Sequence, residues 1–99
     1  QAAAVIYRAL QKAEQVFAGG ERSAARIVKA IQKEIEREPL TRAEYIAVTD
    51  SNTLAPIENL GGHAALVSLA VHVGKIRLID NVILDDERHR SRTGRLKLG

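Results

Sequence analysis

The feature that most constrains the fold of this chain is an apolar run interrupted by a glycine–lysine pair. Residues 64–84 read AALVSLAVHVGKIRLIDNVIL, with Gly74-Lys75 between two segments of strand-forming residues. Glycine accepts the positive φ that the first position of a type II′ turn requires, so the pattern predicts a β-hairpin with a two-residue loop. Such a loop fixes the register. It pairs Val73 with Ile76, His72 with Arg77, Val71 with Leu78, Ala70 with Ile79, and Leu69 with Asp80.

This register sorts the side chains of the hairpin onto two faces, because successive residues of a strand point to opposite sides. We predict that one face belongs to the core, and that the other, of mixed polarity, is partly exposed. The predicted core face carries Val67, Leu69, Val71, Val73, Ile76, Leu78 and Val82. The other face carries Leu66, Ser68, Ala70, His72, Arg77, Ile79 and Asn81.

Two amphipathic helices are predicted before the hairpin. In residues 2–18 the apolar side chains recur at helical spacing, and Gly19-Gly20 ends the segment. A second helix starts near Glu21 or Ser23 and stops before Pro39. The apolar stripe of the first helix is Ile6, Leu10, Ala13 and Phe17, and that of the second is Ala24, Ile27, Val28, Ile31 and Ile35.

A third strand is predicted over residues 44–49, with Ile46 and Val48 pointing inward. Asp50 begins a turn, since its side chain can accept hydrogen bonds from backbone N–H groups two or three residues on. We expect Leu54 and Ile57 to attach the following loop to the core. The order ααβββ predicts an α+β fold in which two helices pack on one face of a three-stranded antiparallel sheet.

Composition limits the class of protein. The chain has 99 residues and no cysteine, which is enough for one core and excludes a disulfide framework or a thiolate metal site. No segment has the length and apolarity of a membrane span, and no signal sequence opens the chain. We expect a cytoplasmic protein with no membrane partner. The chain begins with glutamine and contains no methionine, so we expect a fragment of a longer protein.

The positive charge lies mostly at the end of the chain. Residues 1–84 hold ten Lys/Arg and nine Asp/Glu, whereas residues 85–99 hold five and three. Because residues 85–99 lack aromatic residues and apolar periodicity, we predict a disordered basic tail, with no nucleic-acid partner. The cations of this tail are Arg88, Arg90, Arg92, Arg95 and Lys97.

No set of residues predicts a catalytic centre. His63, His72 and His89 have no ligand spacing, and we interpret His72 as a half-exposed strand residue, since a catalytic role would need a carboxylate to orient it. Asp80 is interpreted as a structural acceptor for loop N–H groups or Arg77, with a site carboxylate as the alternative. Gly19-Gly20 lacks the other residues of a phosphate loop. We therefore assign no catalytic, cofactor-binding or metal-ligating residue to this chain.

Several segments resemble one protein family. They are the opening AAAVIYRAL, the turn AGGER, the strand and turn EYIAVTDSNTLAPIE, and the ending ALVSLAVHVGKIRLIDNVIL. Taken in order, they make residues 1–84 similar to the C-terminal domain of the pantothenate synthetase, or pantoate–β-alanine ligase, family. Residues 85–99 extend past the usual end of that family.

The resemblance implies an enzyme that uses ATP and Mg²⁺ to form a pantoyl adenylate, from which β-alanine displaces AMP. The family's His-x-Gly-His, Lys-Asp and Ser-Ser-Arg-Asn motifs belong to a preceding Rossmann-like domain and have no counterpart here. The resemblance therefore implies a hinged domain, residues 1–84, that covers the active-site cleft. It further implies that this chain alone binds no cofactor and is inactive.

Two alternatives remain open at this point. One is a small, non-enzymatic binding module whose basic tail attracts nucleic acid or an acidic protein, and whose binding would weaken with salt. The other is that the exposed sheet face, with Leu66 and Ile79, is a homodimer surface, which would make the parent enzyme a homodimer.

Overall fold

The structure, a computed structural model, describes residues 2–62 and 64–86. It contains two helices followed by three strands, which confirms the predicted α+β class and element order. The helices are α1 (Ala2–Ala18) and α2 (Ala24–Glu36). The strands are β1 (Thr41–Asp50), β2 (Ala65–Val73) and β3 (Ile76–Leu84), and they form one antiparallel sheet in the order β1-β2-β3.

The turn between the helices is built from capping interactions. Gly20 has a φ of 109°, and the N–H of Glu21 donates to the carbonyl of Val16 at 3.0 Å, which is the Schellman ending of a helix. Ser23 is the N-cap of α2, and its hydroxyl accepts from the N–H of Arg26 at 3.3 Å. The glycine pair is therefore a helix–helix turn, as predicted.

The hairpin register is confirmed at all five predicted pairs, from Val73 with Ile76 to Leu69 with Asp80. Gly74 has a φ of 61°, the conformation for which glycine was expected at this position. A two-residue loop thus set the pairing of the whole hairpin.

The core lies between the helices and one face of the sheet. α1 packs on β2 and β3, and α2 packs on β1. Every predicted stripe residue of the helices is fully or partly buried, and Val48 and Ile46 point inward as expected. The largest fully buried side chains are Phe17, Leu10, Ile27, Ile31, Ile35, Leu60, Leu69, Leu84, Val67, Val71 and Val82.

Two predicted core contacts are wrong. Leu54 does not attach the loop to the core: its side chain is 60% exposed, and its backbone has a φ of 65°. Ile76 lies on the predicted face but is 53% exposed, because it flanks the hairpin turn at the end of the strand. Ile57 does pack against the core, so one of the two expected loop contacts is present.

The loop between β1 and β2 is held by backbone hydrogen bonds. The N–H of Ala24 donates to the carbonyl of Glu58, and the N–H of Leu60 donates to that of Arg22, both at 2.9 Å. Asp50 accepts from the N–H groups of Asn52 (2.8 Å) and Thr53 (3.0 Å), which confirms the predicted turn. The bonds of Ala24 and Leu60 connect the loop to the start of α2.

The C-terminal end of the described chain contacts the helix–helix turn. The guanidinium of Arg22 forms an ion pair with Asp86, which the sequence had placed in the predicted tail. Residues 87–99 lie outside the described residues, so the disordered tail stays a prediction. Within residues 2–62 and 64–86 no helix is long and apolar enough to cross a membrane.

Candidate functional site: the uncovered face of the sheet

One face of the sheet packs on the helices, and the opposite face carries no helix among the described elements. We call this opposite face the uncovered face. Strand register arranges its side chains in rows that run across the three strands. From the hairpin end, the rows are Arg42–His72–Arg77, Tyr45–Ala70–Ile79, Ala47–Ser68–Asn81 and Thr49–Leu66–Ile83.

A β-bulge in β1 decides which side chains reach the uncovered face. Ala43 pairs with Val71 and Tyr45 with Ala70, so Glu44 is an extra residue without a partner in β2. Ala43 and Ile46 both pack against the core, and the two residues between them share the other face. A bulge re-aims side chains in this way, and here it brings Glu44 and Tyr45 together on the uncovered face.

Glu44 joins a cluster that spans the whole sheet. Arg77 on β3 donates from Nε to Oε1 of Glu44 at 2.7 Å and from Nη2 to Oε2 at 3.2 Å. His72 on β2, which lies between them, places its Nε2 2.9 Å from Oε1. The bidentate arginine–carboxylate geometry is the strongest form of such a pair. We call these three residues the Glu44 cluster.

The cluster sets the protonation of Glu44. The hydrogen bonds from Arg77 and then from His72 lower the pKa of the Glu44 carboxyl to about 2, and the carboxylate in turn raises the pKa of Arg77. Since an ionised carboxylate only accepts hydrogen bonds, Nε2 of His72 carries a hydrogen. A carboxyl with such a low pKa is a poor general acid or base near neutral pH, so the geometry fits a fixed ion pair better than acid–base chemistry.

The row next to the Glu44 cluster is apolar. Tyr45 and Ile79 are 41% and 58% exposed, and Ala70 between them is fully buried although it lies outside the core cluster. In the following row, Oδ1 of Asn81 is buried and, among the described residues, has no hydrogen-bond partner. The uncovered face thus combines a charged row, an apolar row and an unsatisfied amide.

The other candidate residues of the sequence analysis do not belong to the Glu44 cluster. His63 and His89 lie outside the described residues. Oδ1 of Asp80 accepts from the backbone N–H of Asn81 at 2.8 Å, while Arg77 donates to Glu44 on the other face of the sheet. Within residues 2–62 and 64–86 no three histidine, cysteine or acidic residues are grouped as a metal site.

A groove of about 490 Å³ lies at the start of α2, between that helix, Val48 and Glu58. A helix N-terminus can bind an anion through its free N–H groups. Here the N–H of Ala24 donates to Glu58 and that of Arg26 to Ser23. These two N–H groups are therefore already hydrogen-bonded and are not free to bind a phosphate in the groove.

The sequence missed the Glu44 cluster. Glu44 is 28 residues from His72 and 33 from Arg77, and only strand pairing plus the bulge brings them together. One signal was present: Ala43 and Ile46 are apolar and three residues apart, which breaks the alternation of a regular strand.

Comparison with known proteins assigns the family. The pantoate–β-alanine ligase family matches residues 1–83. Pantothenate synthetase of Heliobacterium modesticaldum is 42% identical over 85 residues, which are 86% of this chain and 30% of the relative. That of Moorella thermoacetica is 45% identical over 80 residues, or 81% and 28%.

A solved structure agrees with the sequence relatives. The crystal structure of pantothenate synthetase from Thermus thermophilus superposes with a TM-score of 0.67 at 32% identity, covering 78% of this chain and 27% of that one. The chain spans about 30% of the length of the curated relatives it matches. It belongs to the pantoate–β-alanine ligase family.

Proposed function

We propose that this chain is the C-terminal domain of an ATP-dependent ligase that condenses pantoate with β-alanine to make pantothenate. The observation that carries the proposal is the family match over residues 1–83 by a chain that spans only about 30% of its relatives. A Rossmann-like domain would precede it and hold the catalytic motifs. The proposed chemistry has two steps: the pantoate carboxylate displaces pyrophosphate from ATP, and the amine of β-alanine then displaces AMP and loses a proton.

The described residues do not fit an ATP–Mg²⁺ site. They contain no acidic or histidine group with metal-site geometry, and the Glu44 carboxylate is already paired with Arg77. The N–H groups of Ala24 and Arg26 at the start of α2 are also in use. In this proposal ATP and Mg²⁺ bind in the preceding domain, and no residue of this chain is assigned a catalytic role.

The role of this chain in the proposal is that of a hinged cover over the active-site cleft. An acyl adenylate is hydrolysed readily, and closing a domain over it excludes water and holds the amine close to the acyl carbon. A compact unit with its own core can move as one body for this purpose. Residues 85–99 would be a basic extension beyond this unit.

The test is AMP formation from ATP in the presence of pantoate and β-alanine. We expect the intact polypeptide that contains this chain to release AMP only when both substrates are present, and the 99-residue chain alone to release none. AMP release by the chain alone would place catalytic groups here and overturn the assignment. An intact protein that is folded but inactive would refute the ligase itself.

A further inference from the structure

The outer side of the helix pair contains a groove of about 520 Å³ between α1 and α2. We call it the interhelix groove. It is lined by Lys12 of α1 and by Ala30, Lys33, Glu34 and Arg37 of α2. Three of these five side chains are cations and one is an anion. A concave surface of this size can hold a small molecule, and the lining indicates that such a molecule is negatively charged.

The carboxylate in the groove is already neutralised. Nη1 of Arg37 donates to Oε2 of Glu34 at 3.0 Å, and Nε of Arg8 lies 3.7 Å from the same oxygen. The side chain of Glu34 is only 11% exposed, so its charge is directed to these two arginines. By contrast, neither Lys12 nor Lys33 has an ion-pair partner among residues 2–62 and 64–86. The two lysines are the uncompensated charges of the groove.

The cations around the groove repeat at the spacing that makes neighbours on a helix. Arg8 and Lys12 are four residues apart on α1. On α2, Lys29, Lys33 and Arg37 follow one another at the same interval. Like charges at this spacing destabilise a helix. The helix dipole favours Lys33, which lies in the last turn of α2, but Lys12 lies before the last turn of α1 and is half-buried. A bound anion would offset this repulsion.

The lining of the groove excludes several classes of ligand. A divalent cation takes several oxygen ligands, and Glu34 is the one carboxylate of the lining and is already paired, so this is not an ATP–Mg²⁺ site. The lining has no aromatic ring on which a base could stack, and Ala30 is its one apolar side chain. Phosphate groups suit what remains, because lysine binds them as a point charge and arginine through its fork of donors.

We propose that the interhelix groove binds a small anion with two or more linked phosphate groups, such as pyrophosphate, without a metal ion. Lys12 binds the anion from α1, while Lys33 and Arg37 bind it from α2. Linked phosphate groups spread their charge over a length that lets cations of both helices take part. The groove lies on the helices and away from the uncovered face, so this inference does not depend on the ligase assignment.

The test is a calorimetric titration of the 99-residue chain, which has its own core, with pyrophosphate in the absence of Mg²⁺. We expect binding that weakens with added salt and that raises the melting temperature. Lys12→Gln and Lys33→Gln should each weaken binding by about fivefold, and Lys33→Arg should retain it. Lys75→Gln removes the same charge from the hairpin turn, outside the groove, and should leave the affinity unchanged. A cooperative urea transition shows that each variant is folded.

Other anions define what the groove recognises. Inorganic phosphate should bind more weakly than pyrophosphate, and ADP should bind as tightly as pyrophosphate, since the lining offers its base no ring. The proposal is overturned if pyrophosphate does not bind, or if Lys75→Gln weakens binding as much as Lys12→Gln and Lys33→Gln, because the attraction would then be that of a basic chain in general. A polyglutamate peptide that binds where pyrophosphate does not would also overturn it, and would make the ligand an acidic protein. The AMP assay of the intact protein decides the ligase separately from all of these results.

Discussion

Glu44 and Arg77 lie on the two outer strands of the sheet, and their side chains meet above His72 of the central strand. The distance from Nε of Arg77 to Oε1 of Glu44 is 2.7 Å. A carboxylate in regular register would have faced only the neighbouring strand. The β-bulge after Ala43 shifts Glu44 out of register with β2, and the long guanidinium of Arg77 covers the remaining span.

The first prediction concerns acid stability. The pKa of Glu44 is held at about 2 in the folded chain, against an ordinary value of 4.5. Because the folded value is the lower one, Glu44 contributes stability above the ordinary pKa, and this contribution is lost as the pH falls from 4.5 towards about 2. Glu44→Gln should therefore lower the urea midpoint at neutral pH, and the difference from wild type should shrink across that window.

Glu58→Gln is the control for this experiment, since it removes an exposed carboxylate of the loop. It should leave the urea midpoint unchanged at neutral pH. A Glu44→Gln difference that persists undiminished in acid would show that the effect comes from packing and not from the ion pair.

The second prediction concerns the hairpin turn. Gly74 has a φ of 61°, and a Cβ added there would meet nothing within 4 Å, so only the backbone conformation opposes a side chain. Gly74→Ala should lower the free energy of unfolding by about 1–2 kcal/mol. At Gly19, by contrast, φ lies outside the positive region and an added Cβ makes ordinary contacts at 3.5 and 3.6 Å.

Gly19→Ala is thus a matched control, and it should be neutral or stabilising by up to about 1 kcal/mol. Both variants are measured by urea denaturation of the same chain. Equal effects at the two glycines would mean that φ does not decide the cost, and would contradict the prediction.

The hairpin register and the helix bounds were both predicted from local sequence. The hairpin register followed from one dipeptide, because a two-residue loop leaves a single pairing for the strands that it joins. Helix bounds followed from Gly19-Gly20 and Ser23, whose capping roles depend on neighbouring backbone groups alone. In each case the interactions of residues close together in the sequence were sufficient to predict the structure.

The failures have a different physical origin. The bulge at Glu44 inserts a residue that is neither glycine nor proline, so its one local mark is the three-residue spacing of Ala43 and Ile46. The Glu44 cluster was missed because its three residues come from three separate strands and meet only when the sheet forms. Leu54 was assigned to the core by its apolar type, but the turn that Asp50 caps gives it a φ of 65° and directs it outward. The family resemblance does not depend on such details, and it was confirmed.

The third prediction concerns Arg22, which connects three parts of the domain. Its Nη1 donates to the carbonyls of Phe17 at 2.7 Å and Glu21 at 2.9 Å, and its guanidinium lies 3.8 Å from the centroid of the Phe17 ring. It also pairs with Asp86. Lysine keeps the charge but lacks the planar fork that makes several such contacts at once. Arg22→Lys should therefore lower the free energy of unfolding by about 1–2 kcal/mol.

Asp86→Asn separates the ion pair from the rest of this arrangement. The Asp86 side chain is 54% exposed, and exposed pairs contribute about 0–1 kcal/mol, so Asp86→Asn should destabilise the chain less than Arg22→Lys. Urea denaturation at low and high salt measures both. Added salt should weaken the contribution of Asp86 and leave the cost of Arg22→Lys largely unchanged, because the carbonyl hydrogen bonds and the ring contact are partly buried. If the two variants lose equal stability and salt removes both losses, the ion pair with Asp86, and not the contacts to the helix–helix turn, is what Arg22 supplies.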